Sequence, residues 1–227
     1  MSRPSSPASP PRPGRVEALR RRFFGPITEV RTAERVAALT FDDGPNPVHT
    51  PRLLDVLARH GAKATFFMLG RAAQAYPEIV DAVAKAGHAI GNHSHSHCDF
   101  LTVSHRRRID EIRTCSEWLG EHEARIFRPP YGRENFAAHL AARMLGYQVV
   151  KWTISTGDWE AESSAQIYER MRSGLRPGAI ILLHDGSGRD PSADRRMTVD
   201  AVDRLLGETD EYRYLTVPEL LGKGGRK

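Results

Sequence analysis

Cysteine is scarce in this 227-residue chain: Cys98 and Cys115 are the only two. Two thiols cannot frame a disulfide scaffold at this length, so the expectation is reduced thiols in a fold held by its own core. Long apolar runs are missing too. No stretch approaches the roughly 20 residues that a membrane-spanning helix needs. "RRRFFG" at 20–25 has the paired arginines of an export signal, but "PITEVRTAERV" follows with no apolar segment. The expectation is a cytoplasmic chain, secreted only if the start site is misassigned. Repeats of 20–50 residues are absent, which excludes solenoids and propellers. Net charge is absent from the body of the chain. The formal charge is +5, yet residues 1–22 alone hold six arginines against Glu17, so everything after them balances. The basic excess therefore describes a tail. With no interleaving of basic and aromatic residues, nucleic-acid binding is excluded.

What is present is ordered. "MSRPSSPASPPRPGR" is too rich in Pro and Ser to bury apolar area, and residues 1–25 read as a disordered tail. Beyond it, strand-like and helix-like runs alternate. "RVAALTF", "KATFFML", "HAIGNH", "RIFRPP", "YQVVKWTI", "GAIILLHD" and "YRYLTV" read as seven strands. Between them lie helical patterns: Leu53, Leu54 and Leu57 on one face, then "YPEIVDAVAKAG", then a stripe of Ile109, Ile112 and Leu119. Phe136, Leu140 and Met144 recur at four-residue spacing, and two further helices carry Ile167 with Met171 and Val199 through Leu206. Such alternation implies right-handed βαβ units around a parallel sheet, either an irregular (β/α) barrel or a doubly wound open sheet. In both, function gathers at the carboxyl ends of the strands.

The reactive residues fall there. "DDGP" follows the first strand, "HSHSH" the third, "RPPYG" the fourth, "GDW" the fifth and "HD" the sixth. His93 and His97 are four apart, a spacing that places both on one face of a helical turn. Two imidazoles and one carboxylate make a three-donor metal site with an open position, which is a catalytic arrangement. Of the paired acids Asp42 and Asp43, one would bind the cation and the other would serve as a base. Gly44 permits a tight turn after them, and Pro45 ends the strand. Cys98 has a second reading as an adventitious ligand. His95 reads as solvated; His88, His105, His122 and His139 stay unassigned.

"TFDDGP", "HSHSH", "RPPYG", "GDW" and "ILLHD", in this order, resemble the polysaccharide deacetylases with the NodB homology domain, carbohydrate esterase family four. The resemblance spans residues 34–221. It implies an irregular (β/α)7 barrel and metal-dependent hydrolysis of acetyl groups, mostly N-acetyl groups, on an acetylated sugar or glycan. It implies Asp43, His93 and His97 as ligands of a divalent metal, most often Zn2+, with Co2+ or another divalent ion as alternatives. It implies Asp42 as general base, oriented by Arg128, and His184 as general acid. The backbone N–H of Tyr131 would face the oxyanion, and Trp159, Leu183 and Tyr131 would wall the pocket for the acetyl methyl.

One departure stands out. The family's fourth motif usually reads Asp-x-x-Asp-Trp, whereas this chain has "STGDW", with Ser155 at the first position. If that aspartate steadies the catalytic histidine, Ser155 weakens activity or shifts the task to Asp158 or Asp185. The alternatives are an O-acetyl esterase with the same machinery, or a weakened barrel that binds glycan without cutting it. The stretch at 185–198 would shape the groove, and Arg195 and Arg196 in it would meet an anionic group.

Overall fold

The computed structural model describes residues 25–188, 190 and 192–226. The tail expected at 1–25 lies outside the described residues, Gly25 apart. Seven consecutive buried residues form β2 (Val36–Asp42), the centre of the main sheet. A short β1 (Val30–Arg31) precedes it and pairs antiparallel with β10 (Gly225–Arg226). The main sheet adds β3 (Ala64–Met68), β4 (Ala89–Asn92), β5 (Glu123–Phe127), β6 (Gln148–Val149), β7 (Ile154–Ser155) and β8 (Ile180–His184). Their order is β6-β5-β4-β3-β2-β8-β7, with β9 (Arg213–Tyr214) beside β2. Every pairing in this sheet is parallel. The expected barrel is therefore present as a curled parallel sheet.

The strand expected over "YQVVKWTI" is broken in two. β6 sits on one edge of the sheet and β7 on the other, so residues 150–153 cross the gap between them. Val150 N–H donates to the Phe127 carbonyl at 2.9 Å, and Thr153 N–H to the Ile180 carbonyl at 2.8 Å. The two edges do not pair with each other; the crossing stretch and the preceding segment, whose Ile27 bridges to Val150 and Glu29 to Ala179, span the gap.

Helices cover the outside: α1 (His49–Arg59), α2 (Gly70–Ala75), α3 (Pro77–Lys85), α4 (His105–Leu119), α5 (Phe136–Met144), α6 (Ser164–Gly174) and α7 (Arg196–Glu208), while α8 (Val217–Leu221) packs against the inward-facing strand residues. Ser104, Asn135, Ser163 and Thr216 cap four of them by accepting a first-turn backbone N–H. Such a cap contributes about 1 kcal/mol. The short α2 is an addition to the expected pattern; at six residues it carries too little periodicity to read.

Strand alternation sorts the core into two layers. Leu39, Phe41, Ile181 and Leu183 point outward and pack with Leu53, Leu57, Val202 and Leu205 of the helices. Ala38, Phe67, Ile126 and Ile180 point inward and pack with Val150, Val217 and Leu220. Along β2 the inward positions run Val36, Ala38, Thr40, Asp42. The inside of the curl is thus apolar at one end and polar at the end where the strands finish.

Helix α5 departs from its expected packing. Phe136 is 79% exposed and Met144 63%, while Ala138, Ala141 and Ala142 are buried. The small residues face the core with Phe100, Ile112 and Phe127, because they let the helix sit close to its neighbours. The larger side chains at four-residue spacing lie on the outer face.

Candidate active site

The paired acids diverge because the backbone turns between them. Asp43 adopts a left-handed φ of 75°, a conformation that Asp tolerates better than most residues. The tight turn assigned to Gly44 is thus taken by Asp43. Gly44 is required for another reason: a Cβ there would stand 2.2 Å from Oδ2 of Asp185.

Asp42 turns inward and meets Arg128. The guanidinium is fully buried and donates through Nη1 to Asp42 Oδ1 at 2.7 Å and to Thr40 Oγ1 at 2.8 Å. Nη2 donates to the Lys151 carbonyl at 2.8 Å and Nε to the Val150 carbonyl at 3.3 Å. Those two carbonyls belong to the bend between β6 and β7, and among the described residues no backbone N–H donates to them. The Phe67 ring lies 4.1 Å from the guanidinium carbon, a cation–π contact that helps to hold a desolvated charge. Burial raises the pKa of Asp42, and Arg128 opposes the rise without cancelling it.

Asp43 turns toward two imidazoles. Its Oδ1 lies 3.2 Å from His97 Nε2 and 3.5 Å from His93 Nε2. The three donors fall within 4.8 Å of one another, and among the described residues no other three His, Cys, Asp or Glu side chains do so. His93 Nδ1 lies 2.7 Å from the Arg128 carbonyl. A carbonyl only accepts, so Nδ1 carries the proton and Nε2 offers its lone pair. Burial lowers both histidines, His93 to about 3, against the pull of Asp43, which leaves the rings neutral. Asp43 Oδ1 is buried with no hydrogen-bond partner. One carboxylate and two neutral imidazoles around an orphaned oxygen fit a divalent cation.

The histidines do not ride a helix. Residues 93–97 form a loop after β4, with φ of 70° at Ser94 and 62° at His97. Asn92 Oδ1 accepts from Ser94 N–H at 3.0 Å, and Ser94 Oγ accepts from His97 N–H at 3.1 Å. Glu111 holds Ser96 by its N–H and its hydroxyl, each at 2.7 Å. Cys98 stands outside the donor cluster. His95, expected in solvent, is half-buried, and its Nδ1 has no hydrogen-bond partner.

His184 ends β8 and pairs with Asp158. Its Nδ1 lies 2.8 Å from Asp158 Oδ1, and its backbone N–H donates to Oδ2 at 2.8 Å. Thr198 Oγ1 also donates to Oδ2, at 2.9 Å. Burial works against a charged imidazole, but Asp158, Asp42 and Asp43 outweigh it and raise His184 to about 9. Burial would raise Asp158, and its pairing with His184 lowers it instead. The partner of the histidine is thus the second acid position of "STGDW". Ser155 is exposed and leaves the ion pair intact.

The expected pocket walls divide. Trp159 is 49% exposed, with its ring centroid 5.2 Å from that of His184. Tyr131, at φ 60°, sets its ring edge-on to His97 at 4.5 Å. Leu183 does not join them: it belongs to the outer core with Phe41. Successive strand residues face opposite ways, so Leu182 shares the face of His184. The two arginines expected to meet an anion are also engaged. Arg195 Nε donates to the Gly186 carbonyl at 2.8 Å, and Arg196 pairs with Asp194 at 2.7 Å.

A family profile described as polysaccharide deacetylase matches residues 29–150. A peptidoglycan-N-acetylglucosamine deacetylase of Bacillus cereus is 38% identical over 201 residues, 85% of this chain and 91% of the relative. The chain belongs to the polysaccharide deacetylase family. A chitooligosaccharide deacetylase of Sinorhizobium fredii is 37% identical over 177 residues, 74% of this chain and 82% of the relative. The fold agrees. A crystal structure of a peptidoglycan N-acetylglucosamine deacetylase, in complex with a naphthyl-substituted N-hydroxybenzamide, superposes with a TM-score of 0.80 at 31% identity. That match covers 88% of this polysaccharide deacetylase and 94% of the other chain. The chain is accordingly a hydrolase that removes acetyl groups from carbohydrate.

Proposed function

We propose that this polysaccharide deacetylase cleaves the N-acetyl group of an N-acetylglucosamine unit in a glycan, with Zn2+ as the resident ion. The observation that carries the reading is the orphaned Oδ1 of Asp43 facing two imidazole nitrogens, beside Asp42 with Arg128 and His184 with Asp158. Asp43, His93 and His97 would hold the ion. Bound there, it supplies Lewis acidity to the acetyl carbonyl and to the attacking water.

The chain's own residues do the rest. Asp42 takes a proton from the water, and its burial makes it a stronger base than a solvated aspartate. Arg128 fixes the direction in which Asp42 points. The Tyr131 N–H meets the developing oxyanion. His184, held protonated by Asp158, gives its proton to the departing amine. Expulsion of an amine depends on its protonation far more than expulsion of an alcohol does, so a His184 charged at neutral pH favours N-acetyl over O-acetyl substrates. Trp159, Tyr131 and Leu182 surround the acetyl methyl.

The test is acetate release from an N-acetylglucosamine oligomer by the Zn2+-loaded enzyme. Release from O-acetylated but not from N-acetylated sugars overturns the choice of bond. Glycan binding without release from either overturns the hydrolytic reading.

A further inference from the structure

Beside the metal donors a groove of about 220 Å³ opens between the turn after β2, helix α2 and the turn after β8. That is several times the ~30 Å³ share of a water molecule. Asp43 lines its inner end. Pro45, Leu69, Ala75 and Tyr76 make its walls apolar, and Arg71 lines it as well. No family motif named above supplies Arg71 or Tyr76.

Arg71 is fixed in place while its charge stays available. Its backbone N–H donates to the His95 carbonyl at 3.1 Å, which ties α2 to the histidine loop. One guanidinium nitrogen, Nη2, donates to the Gly188 carbonyl, which ties the side chain to the turn after β8. Among the described residues no carboxylate lies within ion-pair distance of it, whereas Arg196 is matched by Asp194 and Arg204 by Glu208. A guanidinium carries five N–H donors in a planar fork suited to a carboxylate.

From the groove, its walls and this unmatched cation, we infer that the groove is a subsite for a carboxylate-bearing sugar next to the acetylated one. Arg71 binds the carboxylate, and the Tyr76 and Pro45 surfaces cover the apolar face of the ring. Arg71 is then a specificity-determining residue. It separates acidic glycans from neutral N-acetylglucosamine oligomers at a site that handles the acetyl group identically in both. The inference rests on the deacetylase reading above.

The experiment measures kcat/KM for acetate release from two substrates. One is a neutral N-acetylglucosamine oligomer. The other is a peptide-free peptidoglycan strand, in which every second sugar carries a lactyl carboxylate. The acidic-to-neutral ratio of kcat/KM is expected to fall about tenfold in Arg71→Gln, through KM rather than kcat, with partial recovery in Arg71→Lys. For the wild-type enzyme, methyl esterification of the carboxylate is expected to lower kcat/KM by a similar factor, and this arm needs no variant to fold. An unchanged ratio in Arg71→Gln, or equal rates on the acid and its ester, overturns the subsite. Acetate released from neither substrate by the wild type sinks the deacetylase reading and the subsite with it; release from both at equal efficiency sinks the subsite alone.

Discussion

Asp42 and His184 are register partners on neighbouring parallel strands, opposite each other where β2 and β8 end. Each is anchored from behind by an opposite charge: Arg128 at 2.7 Å from Asp42 and Asp158 at 2.8 Å from His184. The candidate base and acid are thus held on one rigid sheet. Their environments push them in useful directions, an acid with a raised pKa and a histidine raised to about 9. Opposed environments of this kind assign the two roles.

Asp158→Asn tests the acid. Without the ion pair, burial acts on His184 unopposed by its nearest anion, and its pKa falls. A general acid works only while protonated, so the alkaline limb of the kcat profile is expected to move to lower pH, with a loss of about 10²–10⁴ in kcat at neutral pH. Ser155→Asp should leave that limb where it is. A D158N profile that superposes on the wild type rejects the assignment.

The same pair predicts how stability depends on pH. The folded pKa of His184 lies above its ordinary value of about 6.5. Its contribution is complete below about 6.5 and is lost as pH rises through about 9. Asp158 is lowered, so its contribution is present above its ordinary value and fades as pH falls below that. Thermal unfolding from pH 6 to 10 should show a decline of Tm across the upper window, and Asp158→Asn should flatten it. A decline of equal size in D158N would place its cause elsewhere.

Arg128 joins the site to the seam of the barrel. It neutralises Asp42 and also satisfies the Val150 and Lys151 carbonyls in the bend between the sheet edges. Arg128→Ala leaves a buried carboxylate and two carbonyls unpaired, and such a break costs about 3–5 kcal/mol. Its Tm should fall by much more than that of Asp42→Asn, which keeps a hydrogen-bonding group while removing the base. Equal Tm losses in the two variants would mean that the seam does not depend on Arg128.

The metal reading predicts a linked effect on folding. An ion that binds only the native state stabilises it by about 2.7 kcal/mol at a hundredfold excess over Kd. Zn2+ should raise Tm, chelation should reverse the rise, and both effects should vanish in Asp43→Ala. A zinc-induced Tm shift that survives D43A puts the ion somewhere else.

How much of this was legible in the sequence depended on what each residue reports. Asp42, Asp43, His93, His97, Arg128 and His184 follow buried strands in phase, and a parallel sheet brings such positions to one end; the structure does bring them together. Helix α5 misled because Phe136 and Leu140 have the spacing of a core stripe, while the face that packs is made of alanines. The break in "YQVVKWTI" has no Gly or Pro to announce it, since its cause is the gap in the sheet and the arginine that fills it. Thr40 shares the inner face with Asp42 by simple alternation and was readable; the groove beside Arg71 depends on three distant turns and was not.

Leu182 and Leu183 are adjacent and chemically identical, yet the sheet gives them separate tasks. Leu183 is fully buried among Phe41 and the helix side chains. Truncating it leaves a cavity, and Leu183→Ala should cost about 2–5 kcal/mol with little change in acyl preference among molecules that stay folded. Leu182 lies on the face of His184, opposite Ser155, where the proposed pocket would hold the acetyl methyl. Leu182→Ala should widen that space and raise the relative kcat/KM for N-propionyl over N-acetyl substrate several-fold, because one methylene in an apolar pocket is worth about 1–3 kcal/mol. Measuring both variants for Tm and for acyl preference separates the two positions. If Leu183→Ala changes the acyl preference and Leu182→Ala does not, the inward and outward faces of β8 have been assigned the wrong way round.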